Sequence, residues 1–303
     1  MDKERRKKAQ KRKKTVIILS VFVAVLLCAT GVFFTIRPDL YGKVAVLDNT
    51  DAQNYIKFID CGAADCMLIK SGGSCALIDT GDIKDNAQAV LASLDKSDIS
   101  SIDYMFISHP HSDHIGGVAK ILEKYKVDYA VIPPITEFTA ADTELATLSY
   151  KALCEQCDCE TVKAGQSYQI GEFSVDIIYY STEFDDINDH SAVYKISAFG
   201  KTLLSMGDSG FETEDELLYA GLNVKADIYK LSHHGSDTAN DYGFIQAVDP
   251  NVIICSAEKS QYLDGELSEM AKSFNNTEIF STYNNGDITI TFGKNGYEVK
   301  CDK

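Results

Sequence analysis

The 303-residue chain predicts an α/β fold in which two β-sheets pack between helices, following one N-terminal membrane-spanning helix. Three observations predict it. Short apolar β-type runs alternate with segments of helical spacing along most of the chain. Strand pairs of antiparallel character stand at both ends of that alternation. Before it, 22 uncharged residues (15–36) follow a dense basic run.

The basic run comes first. Residues 1–14 hold nine Lys/Arg and two Asp/Glu. The stretch TVIILSVFVAVLLCATGVFFTI then spans roughly 33 Å as a helix, against a hydrocarbon core of about 30 Å. A basic flank on its N-terminal side predicts a cytoplasmic tail and an outward-facing remainder. A cleaved signal peptide is the alternative, but its apolar region is about 7–15 residues long and ends in small residues. This run is longer and ends in Phe33, Phe34 and Ile36. Cys28 follows Leu26 and Leu27, not the small residues of a lipoprotein site. The expected organisation is a tail (1–14), an anchor (15–36) in the lipid bilayer, a linker (37–50) and a domain (51–303).

Within the domain, residues 55–60, 66–70 and 75–79 read as strands separated by Gly-containing turns. Residues 85–95 have helical spacing. The strand at 103–108 runs into a histidine motif, and Ile115-Gly116-Gly117-Val118 opens a helix through Leu122. Residues 129–134 form a strand and 141–157 a helix. Runs 173–180, 191–199 and 201–206 read as strands of a second sheet. A strand at 226–232 leads into His233, followed by a helix (241–248), strand (251–256), helix (266–274) and strand (278–282). Residues 287–292 and 297–301 close the chain as an antiparallel hairpin.

Charge bounds the partners. The whole chain carries −16, and residues 15–303 carry −23. So acidic a domain repels polyanions unless bound cations compensate, which weighs against a high-affinity nucleic-acid binder while leaving small phosphoesters open. Nine cysteines are present. Cys154, Cys157 and Cys159 cluster, but no second pair of matching spacing completes a zinc site.

Five of the six histidines sit in two short motifs, His109-Pro110-His111-Ser112-Asp113-His114 and His233-His234-Gly235. Between them, Met206-Gly207-Asp208 follows a β-type run. Neutral imidazole and carboxylate are natural ligands of zinc and similar ions. His109 and His111 can serve one ion, Asp113 and His114 a second, with Asp208 as a bridge. Two ions about 3.5–4 Å apart activate water and stabilise entering and leaving oxygens.

Ser-His-Pro-His-Ser-Asp-His-Ile-Gly-Gly resembles the signature of the metallo-β-lactamase fold. FIDCGAADCMLI (58–69), ALIDTG (76–81), LLSMGD (203–208) and KLSHHGS (230–236) resemble successive motifs of one branch, the extracytoplasmic domain of the ComEC/Rec2 competence proteins and stand-alone relatives. The resemblance implies an αββα sandwich, one or two divalent ions (Zn or Mn) and a hydrolase. It implies His109 and His111 as ligands of a first metal, Asp113 and His114 of a second, and Asp208 as the bridge. One of His233 and His234 completes the second site and the other faces substrate. Asp79 matches a carboxylate that orients a ligating histidine. Ser236 reads either as a phosphoryl contact or as a turn residue. The wider fold supplies a third histidine to the first metal. Here only His190 is available, abutting a strand, and it reads as a ligand or as an exposed loop histidine, with Asp186 or Asp189 as substitutes.

The expected function is that of a membrane-anchored, outward-facing phosphodiesterase or nuclease using a metal-activated hydroxide, with Asp113, Asp208 and His233 at the chemistry. DNA and cell-wall phosphodiesters, including phosphocholine esters, are the candidate substrates. Hydrolysis of other esters or amides, as in lactamases and thioesterases, and a non-catalytic binding domain are the alternatives.

Overall fold

The computed structural model of the chain describes residues 53–83, 87–134, 140–258 and 277–303. The expected tail, anchor, linker and the helix at 266–274 lie outside these residues. Among the described residues no helix is long and apolar enough to cross a membrane.

Strands are numbered in chain order: β1 (Asn54–Phe58), β2 (Met67–Ser71), β3 (Ser74–Ile78), β4 (Ser101–Phe106) and β5 (Lys126–Ile132). They continue as β6 (Asp158–Thr161), β7 (Ser167–Ile170), β8 (Phe173–Tyr179), β9 (Val193–Ala198) and β10 (Lys201–Ser205). The last are β11 (Ile228–Lys230), β12 (Val252–Cys255), β13 (Glu278–Ser281), β14 (Ile288–Gly293) and β15 (Gly296–Cys301). One sheet has the order β15-β14-β1-β2-β3-β4-β5-β6, and the other β13-β12-β11-β10-β9-β8-β7. The closing hairpin returns to the first sheet, where Ile56 of β1 faces Ile290 of β14.

The period of two explains the layers. On β2 and β3, Met67, Ile69, Ala76 and Ile78 enter the core between the sheets, where they join Phe173, Val175, Ile196 and Ile254 of the second sheet. Leu68, Cys75 and Leu77 point the other way and pack under helices. Both faces are buried, so these strands read as continuous apolar runs. Helices α1 (Gln88–Lys96), α2 (Ser112–Ile115), α3 (Val118–Lys124) and α4 (Ala140–Gln156) follow strands of the first sheet. Val90, Leu94, Ile115, Val118, Ile121 and Leu153 complete that outer layer. Over the second sheet, α5 (Phe211–Tyr219) and α6 (Tyr242–Val248) bury Leu217, Phe244 and Ile245. Each such fully buried side chain contributes about 1.5–3 kcal/mol of transfer free energy. The result is the expected helix–sheet–sheet–helix sandwich.

β6, β7 and α5 were not anticipated. β6 and β7 are edge strands, half-exposed and polar, and pair on one side only. α5 is an acidic helix with Glu212 and Glu214 in its first turn, where carboxylates complement the helix dipole.

Parallel pairing places the functional loops. β3 runs parallel to β4, and β10 to β11. Asp79, His109, Asp208 and His233 each follow the carboxyl end of one of these strands, so four loops converge on one rim of the sandwich.

Candidate metal centre

From the first sheet, the turn after β3 holds Asp79 in the left-handed region at φ 60. Its backbone N–H donates to Phe106 O at 2.9 Å. Its carboxylate accepts from Ser108 N–H (2.8 Å) and Ser108 Oγ (2.7 Å) and lies 2.9 Å from His114 Nδ1. That carboxylate favours the proton on Nδ1 and directs Nε2 inward. The glycine pair after His114 is a packing requirement. A Cβ on Gly117 would lie 2.1 Å from Thr80 O, so the helix can press against the Asp79 turn only without one.

From the second sheet, Asp208 follows Gly207 (φ +57), and its N–H donates to Ser191 Oγ at 3.0 Å. His233 and His234 both adopt positive φ, 47 and 53, and this turn sends the two rings to different places. His234 Nδ1 lies 3.2 Å from Ser256 O, which leaves Nε2 facing Asp113 and Asp208. His233 Nδ1 instead meets Thr238 Oγ1 at 3.0 Å, and the ring remains 30% exposed.

Asp208 Oδ2 is the point of convergence. It lies 3.2 Å from His114 Nε2, 3.4 Å from His234 Nε2, and 4.0 Å from both His109 Nε2 and His233 Nε2. His109 Nε2 is 3.0 Å from His111 Nδ1. Asp113 Oδ2 is 3.2 Å from His234 Nε2 and 3.9 Å from His114 Nε2. Donor atoms of Asp113, His114, Asp208 and His234 all fall within 4.8 Å of one another, and this group can hold a metal ion. His114 Nε2 and Asp208 Oδ1 are buried without a hydrogen-bond partner. Buried polar atoms left so are costly unless something else, here a cation, satisfies them.

The electrostatics agree. Burial, with His114 close by, holds His109 well below the ordinary imidazole range, so it is a neutral donor. Burial opposes charge on His114 and His234, yet Asp208 heads the carboxylates that overcome it, raising His114 well above its ordinary value and His234 to about 10. Burial likewise opposes charge on Asp113 and Asp208, but His114 and His234 pull both down. A cation entering this cluster displaces protons from histidine, so its affinity increases with pH.

Beneath the cluster lies a layer that sequence reasoning did not assign. Asp65 and Lys230, each 3% exposed, form an ion pair joining the two halves of the sandwich. Asp65 N–H donates to Asp113 O at 3.1 Å, and Asp65 Oδ1 sits 3.8 Å from His234 Nδ1. Asp65, Asp79 and His114 also come within 4.8 Å of one another. The available signal was a lysine within an otherwise apolar strand leading into His233.

Other candidates stand apart. His190 is 7% exposed, so it is not the exposed loop histidine expected; its Nε2 lies 2.8 Å from Phe184 O and its Nδ1 is buried without a hydrogen-bond partner. A buried imidazole takes the nearest acceptor, here a main-chain carbonyl. Asp189 accepts from Gly210 N–H (2.8 Å) and Thr213 Oγ1 (2.6 Å), and so braces the loop after Asp208. Asp186 caps the turn by accepting from Asn188 N–H at 2.9 Å. Ser236 Oγ is engaged with Thr238 in its own turn. Cys66, Cys75, Cys154, Cys157, Cys159, Cys255 and Cys301 are free thiols.

Comparison with known proteins agrees with this geometry. Residues 59–152 match the Metallo-beta-lactamase superfamily model. The chain is 30% identical over 165 residues to ComE operon protein 3 of Bacillus subtilis, covering 54% of this chain and 21% of that one. It is 27% identical over 239 residues to Competence protein ComA of Neisseria gonorrhoeae, covering 77% and 30%. The chain thus spans less than a third of the length of these relatives. The solved metallo-beta-lactamase fold protein YhfI from Bacillus subtilis superposes with a TM-score of 0.51 at 14% identity, covering 81% of this chain and 99% of that one. The sandwich, the converging motifs and these matches identify this part of the chain as a metallo-β-lactamase fold domain related to competence proteins.

Proposed function

We propose that this chain is a membrane-anchored, outward-facing, metal-dependent phosphodiesterase. The observation that carries the reading is Asp208 Oδ2, with imidazole nitrogens of four histidines within 4.0 Å. His109 and His111 would hold one divalent ion, Asp113, His114 and His234 a second, and Asp208 would bridge them. Such ions, Zn or Mn, supply a Lewis acid and an activated water at neutral pH. The protein's own part is orientation. Asp79 sets the His114 tautomer, Ser256 O sets His234, and Asp113 and Asp208 accept protons of a water aimed at phosphorus. His233, partly exposed and anchored by Thr238, faces the substrate side and can donate to a phosphoryl oxygen.

His109 and His111 bring two imidazoles to the first position, with Nε2 of one 3.0 Å from Nδ1 of the other. Fewer nitrogen donors suit manganese as well as zinc. The similarity to Competence protein ComA supports a role in competence as one form of the reading. The basic tail and the uncharged stretch at 15–36 support an inner-face N-terminus and an outer-face domain.

The test uses the full chain in detergent, loaded with Mn or Zn. Hydrolysis of bis(p-nitrophenyl) phosphate is expected, with a loss of at least about 1,000-fold in Asp208→Ala, of the size seen when key electrostatic groups are removed. Turnover of a β-lactam alone would overturn the proposal.

A further inference from the structure

A cleft of ≈ 260 Å³ opens beside the candidate metal centre, and its lining includes Asp185, Asp186, Asp208, Phe211, Glu212 and His233. Among the described residues, no lysine or arginine lines it. Asp185, Asp186 and Glu212 are exposed, and Phe211 presents an aromatic ring that is 43% exposed. Asp208, 2% exposed and with Oδ1 unpartnered, belongs to both cleft and cluster, so a ligand in the cleft touches the reacting centre. A second fact points the same way. The chain has no arginine after Arg37. Arginine is the side chain suited to bidentate phosphate recognition, and a nucleic-acid groove needs repeated cations along its length. Here a single phosphate would rely on bound divalent ions, while the space next to it has carboxylates and a π face.

Resting on the phosphodiesterase reading, we propose that this cleft receives an organic ammonium group, and that the substrate is a small zwitterionic phosphodiester instead of a nucleic-acid strand. Carboxylates attract the cation, and the Phe211 face adds a cation–π contact of the kind that selects quaternary ammonium. Hydrolysis joins a water oxygen to phosphorus, breaks one ester P–O bond and delivers a water proton to the departing oxygen. The products are an alcohol and a phosphomonoester, with no other co-reactant.

The experiment compares p-nitrophenyl phosphorylcholine with p-nitrophenyl 3,3-dimethylbutyl phosphate, its isostere with carbon in place of the ammonium nitrogen. The full metal-loaded chain is used, with bis(p-nitrophenyl) phosphate and single-stranded DNA alongside. A preference of at least about tenfold in kcat/KM for the cationic ester is expected, shrinking as salt shortens the Debye length from about 10 Å at 0.1 M to about 3 Å at 1 M. The triple variant Asp185→Asn/Asp186→Asn/Glu212→Gln brings the two esters to within about twofold, and Phe211→Leu reduces the preference alone. Metal content is measured for every variant. Turnover of bis(p-nitrophenyl) phosphate with equal rates on the two esters, faster cleavage of DNA, or a triple variant with unchanged preference would each overturn the inference and leave the phosphodiesterase reading standing. No turnover of any phosphodiester would remove that reading, and this inference with it.

Discussion

Replacing Lys230 by Met tests the layer beneath the cluster. The substitution keeps the length of the buried stem and removes the charge. Asp65 would then be a carboxylate at 3% exposure with its ion-pair partner gone. Breaking a buried pair from one side costs about 3–5 kcal/mol, because the remaining ion keeps its desolvation penalty. His234 offers partial compensation. Its Nδ1 is 3.8 Å from Asp65 Oδ1, and a charge pair at that separation interacts by about 4 kcal/mol at an effective dielectric near 20. In metal-free protein, where nearby carboxylates keep His234 protonated, the loss is therefore expected at the low end, about 3 kcal/mol. Asp65→Asn alone should cost about as much, since Lys230 is held charged by Asp65 and Asp208 against burial. The double variant Asp65→Asn/Lys230→Met removes both ions and should cost only about 1 kcal/mol. The assay is urea unfolding of EDTA-treated protein, read as a double-mutant cycle. A loss below about 1 kcal/mol for Lys230→Met, or a double variant as unstable as the sum of the singles, would refute the reasoning.

Two further outcomes follow from the same geometry. Asp79→Asn leaves the fold intact but weakens the hold on His114, so metal affinity measured against a chromogenic chelator should fall about 10–100-fold; an unchanged affinity would mean that Asp79 does not orient the ring. Burial raises the Glu214 carboxyl to about 7 despite the backbone N–H groups of Asp241 and Asn240 that it accepts. A carboxyl with a raised folded value binds more protons when folded, so its contribution is present below about pH 4.5 and is lost as pH rises to about 7. The unfolding free energy from urea titrations should decline across that window by up to about 3 kcal/mol and level off above it, and Glu214→Gln should flatten the slope; an equal slope in the variant would assign it elsewhere.

The metal centre was legible because its residues are close together in sequence. His109, His111, Asp113 and His114 fall within six consecutive positions, at the end of one loop and in α2, so that spacing alone brings their side chains together. Asp208 was legible as an acid immediately after a β-type run. The choice between His233 and His234 was not, because adjacent residues have the same local pattern. It depends on what each Nδ1 meets across the fold, Thr238 Oγ1 in one case and Ser256 O in the other. His190 had the right residue type near the right strand, but its burial, with Nε2 at Phe184 O and Nδ1 unpartnered, depends on the folded loop and not on spacing.

The sequence by itself determined the local quantities. Apolar runs bounded by Gly-containing turns specified the central strands, both faces of which are buried. The histidine spacing specified one half of the ion cluster. Tertiary structure alone decided the pairings between distant segments: the return of β14 to β1, the Asp65–Lys230 bridge, and the meeting of Asp113 with His234. The edge strands β6 and β7 belong with these, for their polar faces make them strands only once a neighbour offers its ladder. The reason is physical. Local propensity is a property of a few consecutive residues, whereas a buried charge is stable only where the completed fold delivers its partner.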